Sequence, residues 1–117
     1  MHKRLSLGSL LFGAMAFVSL VTMSTMVWAS HENHVYESIL HAAEAKAHGE
    51  MGHADDATQH AKAAVSHAKM GTKESKNPHL AEGLSHLEEA VDHGQQGHAK
   101  VSAKHAGEAL KHLKQVH

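Results

Sequence analysis

The feature that most constrains this chain is a histidine that returns every seven residues in four runs of three, with a five-residue step between the first and second runs and between the third and fourth. A seven-residue step on an α-helix turns through about 700°, only about 20° short of two full turns, so such histidines share one helix face. The spacing therefore predicts helices that each carry a single histidine stripe. The twelve histidines in this register are His34, His41, His48, His53, His60, His67, His79, His86, His93, His98, His105 and His112.

Turn and capping residues divide the register into four helices. We expect Ser30 or Asn33 to cap helix one, and Asn77 followed by Pro78 to begin helix three. In the first turn, Gly49 is expected to end its helix in the left-handed conformation and Gly52 to let the chain reverse. The predicted helices run from Ser30 to His48, from about His53 to Met70, from Pro78 to about His93, and from about His98 to Gln115.

Each predicted helix has a narrow apolar face. Tyr36 is the only aromatic residue of the Phe, Trp and Tyr set after residue 29, so the core must be thin. Helix three has the strongest periodicity, with leucines or valine at steps of four, three and four. The expected inward positions are Val35, Ile39, Ala42, Ala54, Ala61, Val65, Ala68, Leu80, Leu84, Leu87, Val91, Ala99, Ala106, Leu110 and Leu113.

A shift of 45 residues superimposes one half of this region on the other. The turn from His48 to His53 matches the turn from His93 to His98 in its histidines and glycines, and Glu37 and Glu44 match Glu82 and Glu89. Duplication of a helical hairpin predicts an all-α protein, an up-down-up-down four-helix bundle. A histidine-bridged dimer of hairpins and an extended repeat are the alternatives.

The first 29 residues have the pattern of a signal peptide. A basic start at Lys3 and Arg4 precedes an uncharged run, and the small residues Val27 and Ala29 fit a cleavage site. We expect cleavage after Ala29, which leaves residues 30–117 as one exported, histidine-rich four-helix domain. The alternative is an uncleaved anchor, because the apolar run is long enough to cross a bilayer.

Charge and cysteine content exclude several classes of function. After cleavage, nine basic residues face twelve acidic ones, for a net charge of about −3 with neutral histidine, and no basic stripe suits nucleic acid. The absence of cysteine excludes disulfides, thiolate metal sites, thiol catalysis and covalent c-type haem.

The histidine stripes border the apolar faces, so antiparallel neighbours can bring two stripes together. The short turns then predict histidine pairs, or rungs, with successive rungs about 10.5 Å apart. One ion cannot join two histidines of the same stripe, because metal–nitrogen bonds are about 2 Å, but it can join two across a rung. The predicted pairs are His34–His67, His41–His60, His48–His53, His79–His112, His86–His105 and His93–His98.

Carboxylates stand between many of these histidines, three residues after one and four before the next. Each could complete a shell of two histidines and one carboxylate, orient an imidazole, or be an ordinary exposed acid. Imidazole with oxygen ligands suits Cu(II), Ni(II) and Zn(II), with Cu(II) first, whereas Met51 is interpreted as incidental. The candidate acids are Glu37, Glu44, Asp56, Glu82, Glu89 and Glu108.

The chain resembles the small metal-binding protein family of ammonia-oxidising bacteria. The similarity is greatest from Asn77 to His112, in the N-x-H start, the turn with Gly94 and Gly97, and the Lys104-His105-Ala106 run. The resemblance implies a periplasmic four-helix bundle that binds copper and some other divalent metals, and that scavenges or buffers them.

Repeated, similar sites favour metal capacity over catalysis, so we expect a metal-binding protein that is not an enzyme. We expect it to be a monomer whose partners are metal ions. After cleavage of the leader it should have no stable membrane association. The alternative is an envelope pH sensor or interaction module, in which protonated stripes repel each other. A metal-delivery chaperone would also need a recipient protein, which the sequence does not identify.

Overall fold

The computed structural model describes the backbone of residues 22–117 and the side chains from His34 onward. The expected signal peptide therefore lies outside the described residues, apart from the backbone of its last turns. The chain divides into two compact units, Met1–Ser30 and His31–His117. In the described residues there are four helices, α1 (Thr22–Glu50), α2 (Ala54–Glu74), α3 (Pro78–Gln95) and α4 (Ala99–Leu113).

The unit His31–His117 is a four-helix bundle, which confirms the predicted fold class. Helices α1 and α2 form one hairpin and α3 and α4 form the other. A core cluster joins the two hairpins, since it contains Ala42 and Ala64 together with Leu80, Leu87 and Leu113. The hairpins thus pack on each other within one chain, unlike the units of an extended repeat.

Alanine supplies most of the core, as the scarcity of large apolar residues predicts. Leu80, Leu87 and Leu113 are the largest fully buried apolar side chains, and a second cluster consists of alanines alone. Small side chains let helix backbones approach closely. The second cluster is Ala45, Ala61, Ala90 and Ala106, with Val91 against it.

The predicted helix boundaries are partly right. Asn77 caps α3, with its Oδ1 accepting a hydrogen bond from the His79 backbone N–H at 2.9 Å, and Pro78 is the first helical residue. The cap predicted at Ser30 or Asn33 is wrong, because α1 begins at Thr22. Helix α2 extends past the predicted end at Met70 to Glu74. Gly71 does not end the helix but lies inside it, where it packs against Leu80.

The two glycines of each short turn have different roles. Gly52 and Gly97 adopt positive φ angles of 85° and 79° and reverse the chain. The left-handed conformation predicted for Gly49 is wrong, because Gly49 is helical and packs against α4. A Cβ at Gly49 would lie 2.6 Å from the Ala99 carbonyl oxygen and 2.8 Å from the Ala103 Cβ. Gly49 therefore permits contact between helices.

One buried hydroxyl links the two helices within each hairpin. Ser38 of α1 donates to the Ala64 carbonyl at 3.0 Å, and Ser102 of α4 donates to the Ala90 carbonyl at 2.7 Å. Both serines are fully buried. Because a buried donor must keep its acceptor, these bonds favour one longitudinal register between paired helices.

Candidate metal centre

The twelve histidines form two ladders, one in each hairpin. The first ladder comprises His34, His41 and His48 of α1 with His53, His60 and His67 of α2, and the second comprises His79, His86 and His93 of α3 with His98, His105 and His112 of α4. All six predicted pairs are present, with ring centroids 5.7 to 6.0 Å apart.

The ladders are continuous, because diagonal contacts, which the sequence prediction did not include, join successive rungs. Diagonal neighbours are as close as the predicted pairs: His41 and His67 stack at 5.7 Å, and His48 and His60 at 5.1 Å. The second ladder repeats both diagonals, His86–His112 at 5.6 Å and His93–His105 at 5.2 Å. Paired helices are staggered by about half the seven-residue repeat, so a histidine of one helix fits between two of the other.

The ladder histidines border the core, as their angle from the apolar faces predicts. The exposed fraction of the side chain is 21% at His105 and 42% at His79, while His53 and His98, which adjoin the short turns, are exposed. Seven buried Nδ1 atoms form no well-aligned hydrogen bond, although those of His41, His105 and His112 lie 2.8 to 3.2 Å from a carboxylate oxygen. The seven atoms belong to His41, His48, His79, His86, His93, His105 and His112.

Three carboxylates each face two histidines on opposite helices of a hairpin. Glu44 Oε2 lies 2.7 Å from His60 Nδ1 and 3.2 Å from His41 Nδ1. Glu82 Oε2 lies 2.8 Å from His112 Nδ1 and 3.8 Å from His79 Nδ1.

The third carboxylate of this kind occupies the position of Glu44 in the second half of the duplication. Glu89 Oε2 lies 3.0 Å from His105 Nδ1, and Glu89 forms a group with His86 and His105 whose potential ligand atoms all lie within 4.8 Å of one another. The group of His41, Glu44 and His60 and the group of His86, Glu89 and His105 are thus equivalent under the 45-residue shift.

Two further groups complete the set of five that the described residues contain. His48 and His53 lie with Asp56, whose Oδ2 is 3.9 Å from His48 Nδ1. Glu37 groups with His41 and His67 across a diagonal. The sequence prediction missed this diagonal group because it paired histidines only across rungs, although Glu37 lies one helical turn before His41.

The predicted pair His93–His98 and the predicted ligand Glu108 belong to none of these five groups. His93 and His98 pair at 5.9 Å, but Val101 stands where the first hairpin has Asp56. Glu108 joins no three-residue group among the described residues and binds Lys111 Nζ at 2.8 Å. The hydrogen bond from Lys111 and the positive charge of that lysine lower the pKa of Glu108.

Sequence reasoning also missed Glu74. Its Oε1 lies 3.9 Å from His34 Nε2, while His34 Nδ1 and His67 Nδ1 are 3.4 Å apart. Glu74 follows His67 by seven residues and so continues the histidine register of α2. The predicted end of α2 at Met70 hid this signal, because a residue beyond the helix would not share its face.

The geometry suits ions that bind nitrogen and oxygen together. Two ligand atoms on one ion lie at most about 4 Å apart, since each metal–nitrogen bond is about 2 Å. The five groups, within 4.8 Å, reach that range by small side-chain rotations. Each offers two imidazoles and one carboxylate, a donor set for a borderline divalent transition metal.

The fold and these groups define a class of protein, a helical bundle with groups of potential metal ligands along its helix pairs. Residues 9–116 match the model of the small metal-binding protein family, and the chain belongs to that family. This confirms the resemblance inferred from sequence. No curated protein matches the sequence.

The apolar run that could anchor an uncleaved chain in a membrane lies mostly outside the described residues. Among the described residues, none of the helices is both long enough and apolar enough to cross a bilayer.

Proposed function

We propose that the protein is a non-catalytic periplasmic buffer or scavenger of divalent transition metals that holds several ions between its paired helices. The observation that most supports this proposal is that five groups each offer the same ligands, two histidines and a carboxylate. Such groups occur in both halves of the duplicated bundle. Similar repeated sites provide capacity. An enzyme would need one centre that differs from the rest, with an open coordination position and a pocket around it.

Copper(II) is the first metal in this proposal, followed by Ni(II) and Zn(II). Imidazole and carboxylate ligands accept all three, and affinity along the divalent series generally peaks at Cu(II). The chain has no cysteine, so thiolate does not bias it toward softer ions. The leader supports export, and the family supports metal as the cargo.

The test is a calorimetric titration of the purified protein with Cu(II) at pH 7, with Zn(II) and Ni(II) in parallel. We expect several tightly bound equivalents. Double replacement His86→Ala/His105→Ala should remove sites in the second hairpin, and His41→Ala/His60→Ala should do so in the first. The matched control is His31→Ala/His117→Ala, which removes the same number of histidines from outside the register.

Equal losses in the control and in the ladder variants would contradict built sites, because binding would then follow the number of histidines alone. A bundle that unfolds near pH 5, with or without bound metal, would instead support the pH-sensing alternative. If none of Cu(II), Zn(II) and Ni(II) bound tightly, the buffer proposal would be overturned.

A further inference from the structure

The groove between α1 and α4 is rich in lysine and contains none of the ladder histidines. Its walls carry Lys46, Lys100, Lys104, Lys111 and Lys114, and the acids among its lining residues are Glu50 and Glu108. The chain has nine lysines after residue 29, so more than half of them line this one groove.

The duplication makes this distribution informative. The shift of 45 residues maps the α1/α4 groove onto the α3/α2 groove, where Lys46, Lys100, Lys104 and Lys111 correspond to Val91, Asp55, Gln59 and Ser66. Only Lys114 has a lysine counterpart, Lys69. The α2/α3 groove is balanced, with Lys62 and Lys69 opposite Glu88 and Asp92. The histidine ladders have remained alike in the two halves, whereas these two grooves differ strongly in charge.

The lysines divide into paired and unpaired groups. Lys46 binds Glu50 at 2.6 Å and Lys111 binds Glu108 at 2.8 Å. Lys100, Lys104 and Lys114 are exposed and form no ion pair with any described residue. The groove therefore has three uncompensated positive charges, spread over about 21 Å of α4 at 1.5 Å per residue.

Beneath the charges the groove is apolar and recessed. Its floor includes Ala103, Gly107 and Leu110, and the part of the groove beside Ala103 has a volume of about 460 Å³. A recess of this shape accepts a protruding ligand better than a flat surface does. Its apolar floor can bury aliphatic side chains while the rim forms ion pairs.

We propose that this groove docks an acidic polypeptide segment of another protein. Lysine ammonium groups act as point charges, and no arginine is present after Arg4 to grip a phosphate with two hydrogen bonds. Glu50 and Glu108 would repel a uniformly anionic polymer or membrane, whereas a protein segment can place a lysine of its own beside them. A second copy of the chain is a poorer fit because the groove related by the duplication is balanced in charge.

The probe is a fluorescein-labelled, glutamate-rich helical peptide with leucine and alanine at its remaining positions, long enough to follow about 14 residues of α4. Binding to the full-length purified protein is measured by fluorescence anisotropy at low salt with EDTA present. Metal is thereby excluded, so failure of docking is distinct from failure of the metal proposal. A peptide with glutamine in place of glutamate controls for the apolar contribution.

The groove variant is Lys100→Gln/Lys104→Gln/Lys114→Gln. The matched control is Lys62→Gln/Lys69→Gln/Lys73→Gln, which changes the net charge equally on α2. We expect the groove variant to lose about tenfold or more in affinity, the control to stay within about twofold, and added salt to weaken wild-type binding. Both variants should keep the helical content of the wild type by circular dichroism, which verifies that they fold whether or not metal binds.

Three results would overturn the proposal. Equal losses in the two variants would mean that net charge alone attracts the peptide. Binding to phosphatidylglycerol vesicles that depends on the groove lysines, without peptide binding, would make a membrane the occupant. Self-association that only the groove variant abolishes, measured by analytical ultracentrifugation, would make a second copy the occupant.

Discussion

At the scale of single residues, a carboxylate distinguishes a histidine pair from a three-ligand site. Glu89 lies 3.0 Å from His105, while its neighbour Glu88 binds Lys69 at 3.0 Å on another face of α3. We expect Glu89→Gln to weaken one Cu(II) site about 10- to 100-fold, because an uncharged amide replaces an anionic oxygen. Calorimetry should show that Glu88→Gln, with the same change of charge, leaves every site intact. Similar losses in both variants would mean that Glu89 acts only through net charge.

Val101 offers the converse experiment at a single residue. It is 40% exposed and occupies the position of Asp56, beside the pair His93 and His98. We expect Val101→Asp to add one metal equivalent, because it would provide the missing carboxylate at little cost in buried apolar surface. The uncharged variant Val101→Asn is the control. If Val101→Asp bound no more metal than the wild type, the pair His93 and His98 would be unable to bind an ion even with a carboxylate beside it.

At the scale of the helices, close approach depends on glycines that lie inside them. We expect Gly49→Ala to lower the free energy of unfolding by about 1–3 kcal/mol, because its Cβ would meet the Ala99 carbonyl oxygen at 2.6 Å. Gly107→Ala should raise it by about 0.5–1 kcal/mol, since the Lys46 side chain at 3.4 Å is flexible and alanine favours a helix. Urea denaturation measures both changes. Stabilisation by both variants would show that α1 can move away from α4 without loss.

At the scale of the whole molecule, metal should stabilise the bundle, because each site needs residues from two helices. A ligand specific to the folded state adds about 2.7 kcal/mol per site at a hundredfold excess over Kd. We expect Cu(II) to raise the melting temperature and EDTA to reverse the rise, as measured by circular dichroism. The increment should diminish in acid, because protons compete with the metal for the imidazole nitrogens. An increment that does not change between neutral and acid pH would exclude histidine as the main ligand.

The sequence alone determined the helical class, the duplication and the six histidine pairs. These follow from local rules: seven residues make nearly two helical turns, and a short turn places His48 opposite His53. The cap at Asn77 was likewise predictable, because Pro78 follows it directly. In each case the deciding interactions lie within a few residues of one another along the chain.

Only the tertiary structure decided how the paired helices are staggered and which residues meet between neighbouring helices. The stagger sets His41 beside both His60 and His67, and so creates the diagonal group with Glu37. It depends on contacts between helices that the seven-residue period does not specify. Gly49 was misinterpreted for the same reason, since its partner Ala99 lies 50 residues away. Periodicity fixes the face on which a residue lies, whereas the packing of small side chains across helices fixes what that face meets.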